Sequence, residues 1–200
     1  MSDLQAAKET VLKFYEQLDS PDANLEVVLS AHCREGYIWR GFHPFGEFKS
    51  PNEVAQKFWR PLRTSLTSLQ RRQDVFFAGL NQMDGFQGTW VVSMGHFMGL
   101  FDHPLLGIPP TQKIAMLRYC EFHRVENGKI CETAMYFDLP HLIAQAGITL
   151  FPNQTAAQLV QPGPMTHTGL LFDPTPEQDG NDTLSLINRM IGDLGQWDSK

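Results

Sequence analysis

Residues 74–138 carry a succession of long β-forming runs, and the turn at Asn127-Gly128 fixes how two of them pair. Both central residues of a tight hairpin turn must tolerate positive φ, which Asn and Gly do best. Residues 113–125 and 129–138 are therefore predicted as antiparallel partners. Upstream, residues 74–80 and 88–100 are predicted as strands around a turn at Met83-Asp84-Gly85. A long loop through Pro104, Gly107 and Pro109-Pro110 then leads into the hairpin. Gly95 and Gly99 interrupt the 88–100 strand, and glycines and bulges are where sheets bend. Such a sheet curves, and its hollow must be covered.

The helices that precede it can do this. Between residues 3 and 18 the apolar positions Leu4, Ala7, Val11, Phe14, Tyr15 and Leu18 fall at helical spacing, with Ser2 or Asp3 as a cap and Pro21-Asp22 as a break. A short helix is expected over 24–31, a short aromatic strand over 36–41 and a loop over 42–49. Ser50-Pro51-Asn52-Glu53 has a Ser cap, a Pro at the first helical position and a Glu three residues after the cap. That helix should run to about residue 65 and bury Val54, Phe58, Trp59 and Leu62, with Pro61 bending it or ending it early. A last short helix is expected over 139–145, ending at Gly147. Helices first and then an antiparallel meander describe an α+β fold, with the helices across the concave face.

From residue 148 the chain turns rich in Pro, Gly, Thr and Gln, with apolar patches at Leu159-Val160 and Leu170-Leu171-Phe172. The reading is a domain over 1–147 and an arm over 148–200 that lies on the domain or on a partner subunit. The arm should end in an amphipathic helix over 183–194, capped by Asp182.

Composition excludes several classes. With 14 Phe and 4 Trp a sizeable core can be buried, whereas 16 basic against 22 acidic residues leave a net charge of −6. Nucleic acid and anionic membranes demand clustered Lys and Arg, so neither is an expected partner. The one dense basic spot, Arg71-Arg72, is followed by Asp74 and reads as a solvated strand end in preference to an anion site. Cys33, Cys120 and Cys131 form no CxxC pair and suit buried thiols in a reducing compartment. The N-terminus lacks the pattern of a signal peptide, and no window nears the ~18 apolar residues of a membrane span. A cytoplasmic location is the expectation. His96 and His103 lack recognised ligand spacing, and there is no phosphate-cradling glycine loop, so no metal and no cofactor are expected.

The stretch from Gly95 to Gly147 resembles the SnoaL-like polyketide cyclases of the nuclear transport factor 2-like (NTF2-like) superfamily. The resemblance rests on Gly95-x-x-x-Gly99 around His96, Gly107-Ile108-Pro109-Pro110-Thr111, Phe122-x-Arg124, Asn127-Gly128-Lys129-Ile130-x-Glu132, and Asp138 before a helix ending in Gln145-Ala146-Gly147. It covers roughly residues 4–147 and implies a cone that often pairs as a homodimer through the outer sheet face. It also implies a pocket carboxylic acid that acts as acid and base in an intramolecular aldol closure, without metal or cofactor.

Three residues are candidates for that chemistry. Asp138 follows Met135-Tyr136-Phe137, where a carboxylate among apolar groups would have a raised pKa; alternatively it caps the helix that begins at Leu139-Pro140. Glu121 shares a strand face with Tyr119 and His123, either as an acid or as half of an ion pair with Arg118 or Arg124. His96 groups with Trp90, Val92, Met94 and Met98, as a satisfied core histidine or a pocket donor. Tyr15, Trp39, Phe58 and Trp59, with Met135 and Tyr136, would line a pocket for a flat or ring-containing hydrophobic molecule, or form core. The resemblance breaks at Met135, which can stand where the cyclases carry an acid. Two functions follow: a cyclase or isomerase acting on a hydrophobic, polyketide-like substrate, or a non-catalytic binding or assembly domain of the same fold.

Overall fold

The computed structural model describes residues 3–150, 152 and 163–196. The Ser2 cap and the Leu159-Val160 patch lie outside the described residues.

Helix α1 (Asp3–Leu18) buries Ala7, Val11, Phe14, Tyr15 and Leu18, the face that the spacing defines. Helix α2 (Leu25–His32) starts where the Asn24 side chain accepts the Val27 N–H. Strand β1 (Cys33–Gly41) follows, and the expected loop holds a short strand β2 (Gly46–Phe48).

The third helical stretch continues past its proline. It begins as α3 (Pro51–Val54) under the Ser50 cap, passes through a π turn (Ala55–Trp59) and resumes as α4 (Arg60–Ser65). Proline cannot donate to the carbonyl four residues back, and a π turn just upstream re-spaces the ladder around it. Pro61 then sits at the start of a new segment, where a missing N–H costs little. All four apolar residues expected inside, Val54, Phe58, Trp59 and Leu62, are buried.

Strands β3 (Leu66–Leu80), β4 (Thr89–Phe101), β5 (Ile114–Glu126) and β6 (Lys129–Phe137) form the antiparallel meander. The whole six-stranded sheet has the order β2-β1-β6-β5-β4-β3, with β1 joined to β6 in parallel. Asn127 and Gly128 both take positive φ at the β5–β6 turn. The sheet is curved and unclosed, with α1 packed on its concave side against β3, β4 and β5.

Strand β3 starts eight residues before the predicted 74–80, because two register shifts hide its alternation. They fall between Thr67 and Gln70 and between Gln73 and Val75. Each faces a glycine of β4. A Cβ on Gly99 would lie 3.0 Å from the Thr67 carbonyl oxygen, and one on Gly95 only 1.9 Å from that of Arg72. The glycines that predicted curvature thus make room for the bulges that bend the sheet.

After α5 (Leu139–Gln145), the described part of the arm returns to the domain. The Phe76 N–H donates to the Gly169 carbonyl and the Leu171 N–H to the Phe76 carbonyl, so the arm covers the free edge of β3. The buried Lys8 ammonium donates to the carbonyls of Leu171 and Asp173, tying the arm to α1. The final helix, α6 (Glu177–Gly195), begins six residues before the expected 183; Gly180 and Asn181 are poor helix formers that blur its start.

Candidate functional site

Alternation on β5 sends Tyr119, Glu121 and His123 to the concave face, where all three are buried. From β4 the same face receives Ser93 and Phe97, and from β6 Thr133 and Met135. Opposite them stand Tyr15 and, one helical turn on, Asp19. Residues four apart share a helix face, and the Asp19 N–H donates to the Tyr15 carbonyl, so the end of α1 presents both to the same place.

Arg71 joins them, and this corrects its reading as a solvated strand end. Its side chain is 3% exposed and lies between two carboxylates. Nε and Nη2 donate to the Asp19 carboxylate at 2.8 and 3.4 Å, while Nη1 donates to Glu121 Oε2. The guanidinium also lies 3.8 Å from the Tyr15 ring centre and 4.8 Å from that of Phe97. Burial opposes its charge, but the charges of Glu121 and Asp19 prevail and hold its pKa well above the ordinary value. Glu121 therefore pairs with neither Arg118 nor Arg124; its cation comes from β3.

Hydrogen-bond stoichiometry assigns the rest of the network. The Tyr15 hydroxyl is 2.9 Å from Glu121 Oε2 and 2.8 Å from His123 Nε2, and it carries one proton. Burial, helped by the Arg71 charge, lowers the His123 pKa to about 3, so the ring is neutral. With a carboxylate able only to accept, Tyr15 donates to Glu121 and accepts from His123 Nε2–H. His123 Nδ1 then accepts from the Thr133 hydroxyl at 2.9 Å. Burial, and next the Glu121 charge, hold the Tyr15 pKa well above its usual value. The buried network is an ordered chain of donors ending on Glu121, which also accepts from Arg71.

Aromatic rings extend this interior towards β2. Tyr119 stacks on Phe97 at 4.4 Å, Phe97 meets Trp59 edge-on, and Trp59, Phe58, Trp39 and Phe48 continue the contact. Trp39, Phe58 and Trp59 thus line the interior on one side of the network. Met135 is fully buried and directly opposite Glu121 across the β5–β6 ladder. The position that lacks the expected acid has a carboxylate beside it on the next strand.

The other candidates lie elsewhere. Asp138 accepts the His141 N–H at 3.0 Å as the N-cap of α5, the alternative role read for it. His96 is on the convex face, where Nδ1 donates to Asp74 at 3.1 Å and Nε2 accepts from Arg118 at 3.5 Å. Burial, assisted by Arg118 and opposed by Asp74, lowers its pKa. Tyr136 also faces outward and is 51% exposed, beside Phe42 and Phe122. Period-2 alternation separates these residues from Glu121: Tyr136 is adjacent in sequence to Met135, and His96 pairs with Arg118, an outward residue of β5.

An open cleft of about 790 Å³ adjoins the network. Its walls come from the α1–α2 connection, α4 and the start of β3, and include Asp19, Glu26, Arg60, Arg63, Ser68 and Gln70. Arg63 shapes it by donating to the carbonyls of Leu18, Ser20 and Pro21 at the end of α1. Asp19, with 28% of its side chain exposed, belongs both to this wall and to the ion pair. Among the described residues no group of three or more His, Cys, Asp or Glu could hold a metal ion, and no helix is long and apolar enough to cross a membrane.

Comparison with known proteins speaks for the same fold. Residues 86–146 match the family model for SnoaL-like polyketide cyclase, and the fold of the chain is NTF2-like. Similar solved structures include a proposed SnoaL-like polyketide cyclase from Jannaschia sp. CCS1, at 19% identity and TM-score 0.56, covering 76% of this chain and 98% of that one. IdmH of Streptomyces antibioticus, a proposed polyketide cyclase, is 17% identical with TM-score 0.55 over 72% and 99% of the two chains. An LEH-like epoxide hydrolase of M. tuberculosis is 14% identical with TM-score 0.50 over 72% and 91%. Identities this low speak for the fold. No curated protein matches the sequence.

Proposed function

We propose that the chain is a cofactor-independent acid–base enzyme of cyclase or isomerase type, acting on a small hydrophobic, carbonyl-bearing molecule held in the cleft beside Asp19. The supporting observation is the carboxylate–guanidinium–carboxylate chain Asp19–Arg71–Glu121, which runs from the cleft wall into an aromatic interior. Asp19 takes a proton from the carbon next to a carbonyl, and the resulting enolate oxygen is stabilised by the Arg71 guanidinium. Attack of the enolate carbon on a second carbonyl forms the ring bond, and the alkoxide recovers the proton from Asp19. Atoms and charge balance without a cofactor. Glu121, Tyr15 and His123 are positioning residues: Glu121 accepts from Arg71, Tyr15 donates to Glu121, and His123 donates to Tyr15. The cone over 1–147 is the functional unit in this reading, with 148–200 as an appended arm.

The test is turnover of cyclic-ketone and polycarbonyl compounds by the full chain and by Asp19→Asn, with the unfolding midpoint recorded for both. Loss of about 100-fold or more in kcat with the fold intact is expected for removal of an acid–base group. Full turnover by Asp19→Asn would sink the mechanism. A second reading, a binding or assembly domain, draws on the complete burial of Glu121 and Met135. Saturable binding of the same compounds without turnover would favour it.

A further inference from the structure

The cleft beside Asp19 is rich in polar side chains, and most of them already have partners within the fold. Asp19 is held by Arg71 and Glu26 by Arg60, while Asn24 accepts the Val27 N–H. Arg63 donates to the carbonyls of Leu18, Ser20 and Pro21, and the Thr67 hydroxyl donates to Asp102 and Leu100. Among the described residues, Thr64, Ser68 and Gln70 are the lining residues with polar side chains that make no hydrogen bond.

Charge is balanced in the same way. Across the cleft wall and the network behind it, three carboxylates (Asp19, Glu26, Glu121) face three guanidiniums (Arg60, Arg63, Arg71). An anionic ligand would have to compete with an acid already in place or leave it without its partner. Neutral hydroxyl and carbonyl groups need only the hydroxyls and the amide that the fold does not use.

Ser68 differs from the other two in its backbone. It lies in the bulge between Thr67 and Gln70, where Ser68 and Leu69 together stand against Gly99 of β4, and its φ is 52°. Residues with a Cβ avoid this region because the Cβ crowds the following carbonyl oxygen, whereas glycine enters it freely. Bulges re-aim side chains beside functional sites, and an unfavourable backbone conformation in a cleft wall is a mark of such use. Here a serine holds a position that suits glycine better, and no internal group uses its hydroxyl.

We propose that Ser68 is a specificity-determining residue of the cleft: its hydroxyl hydrogen-bonds a neutral oxygen substituent, a hydroxyl or a second carbonyl, on the ketone bound there. This contact rests on the reading of the cleft as the ligand site and does not require Asp19 to be a catalyst. The bulge that turns Arg71 inward also sets Ser68 in the cleft wall. One irregularity of β3 thus supplies both the interior cation and the group that recognises the ligand.

The experiment compares binding of 6-hydroxy-1-tetralone and 1-tetralone, neutral ketones that differ by one hydroxyl. Their dissociation constants are measured by NMR titration of the full native chain, Ser68→Ala and Ser68→Gly, with the unfolding midpoint of each recorded. The native chain should prefer the hydroxylated ketone about two- to tenfold, the span of one neutral hydrogen bond. Both variants should lose that preference and keep the native affinity for 1-tetralone. Ser68→Gly should melt no lower than Ser68→Ala, because glycine adopts the positive φ without strain. A native chain with no preference, or with no affinity for either ketone, would overturn the proposal. So would a Ser68→Gly protein that still prefers the hydroxylated ketone, since the backbone and not the hydroxyl would then be the source. Turnover that depends on Asp19, with the preference intact in both Ser68 variants, would overturn the Ser68 contact and leave the acid–base reading standing. Loss of the preference in both variants, without turnover by the native chain, would do the reverse.

Discussion

Strand β5 serves two different chemistries on its two sides. Inward, Tyr119, Glu121 and His123 form part of a dry network whose polar groups partner one another and Arg71. Outward, Arg118, Cys120 and Phe122 lie on a half-exposed surface where charges meet water. In the interior a lost partner leaves a stranded polar group, which is expensive; on the convex face water takes its place. The same residue type therefore has different consequences on each side.

Removing the central cation should break this contrast most visibly. Arg71→Met leaves two carboxylates around a neutral side chain and should cost about 3–5 kcal/mol of stability in urea unfolding, the range for breaking a buried pair. Adding Glu121→Gln should recover part of the loss, since the unpaired buried charge is then gone. A Arg71→Met protein as stable as the native one would mean that water reaches the network and that the interior is not dry.

The pH dependence of stability probes the same region. The folded His123 pKa of about 3 lies below the ordinary histidine value of 6.5, so the unfolded chain binds the proton that the native chain refuses. Its contribution is fully present above about pH 6.5 and is lost as pH falls towards 3. His32 and His96 are shifted the same way. His123→Gln should lower stability at pH 7 and flatten the decline between pH 6.5 and 4, measured by urea unfolding at each pH. An unchanged slope would assign the decline to the other histidines and to carboxylates.

The smallest effect is expected at Asp138. Asp138→Ala should cost about 1 kcal/mol through loss of the α5 cap, and Asp138→Asn, itself a good cap, should cost little. If Asp138→Asn instead abolished turnover while the fold held, Asp138 would be part of the chemistry and the emphasis on the concave network would be wrong.

Much of this was legible in the sequence. Helical spacing located α1 and its buried face, Asn127-Gly128 located the hairpin, and alternation grouped Tyr119, Glu121 and His123 together and His96 with the methionines. The family resemblance supplied the cone. Tyr15 and Asp19 also stand four apart across the end of α1, a spacing that could have pointed to the pair. Alternation, however, states which residues share a side and leaves open which side is inward. That decision belongs to the whole sheet, through its curvature and the helices on its hollow face.

Arg71 shows the limit most clearly. Counting by twos from the buried Leu66 puts Arg72 inside and Arg71 outside. The register shift between Thr67 and Gln70 inserts a residue and reverses that parity, and the shift between Gln73 and Val75 restores it, so that Phe76 points inward again. One cation enters the interior because two bulges bracket it. The sequence by itself determined most of the elements, their pairing at the hairpin and the glycines, Gly95 and Gly99, that allow bending. The tertiary structure alone decided which arginine meets Glu121, because a bulge is a property of two strands and its position depends on how β3 fits against β4.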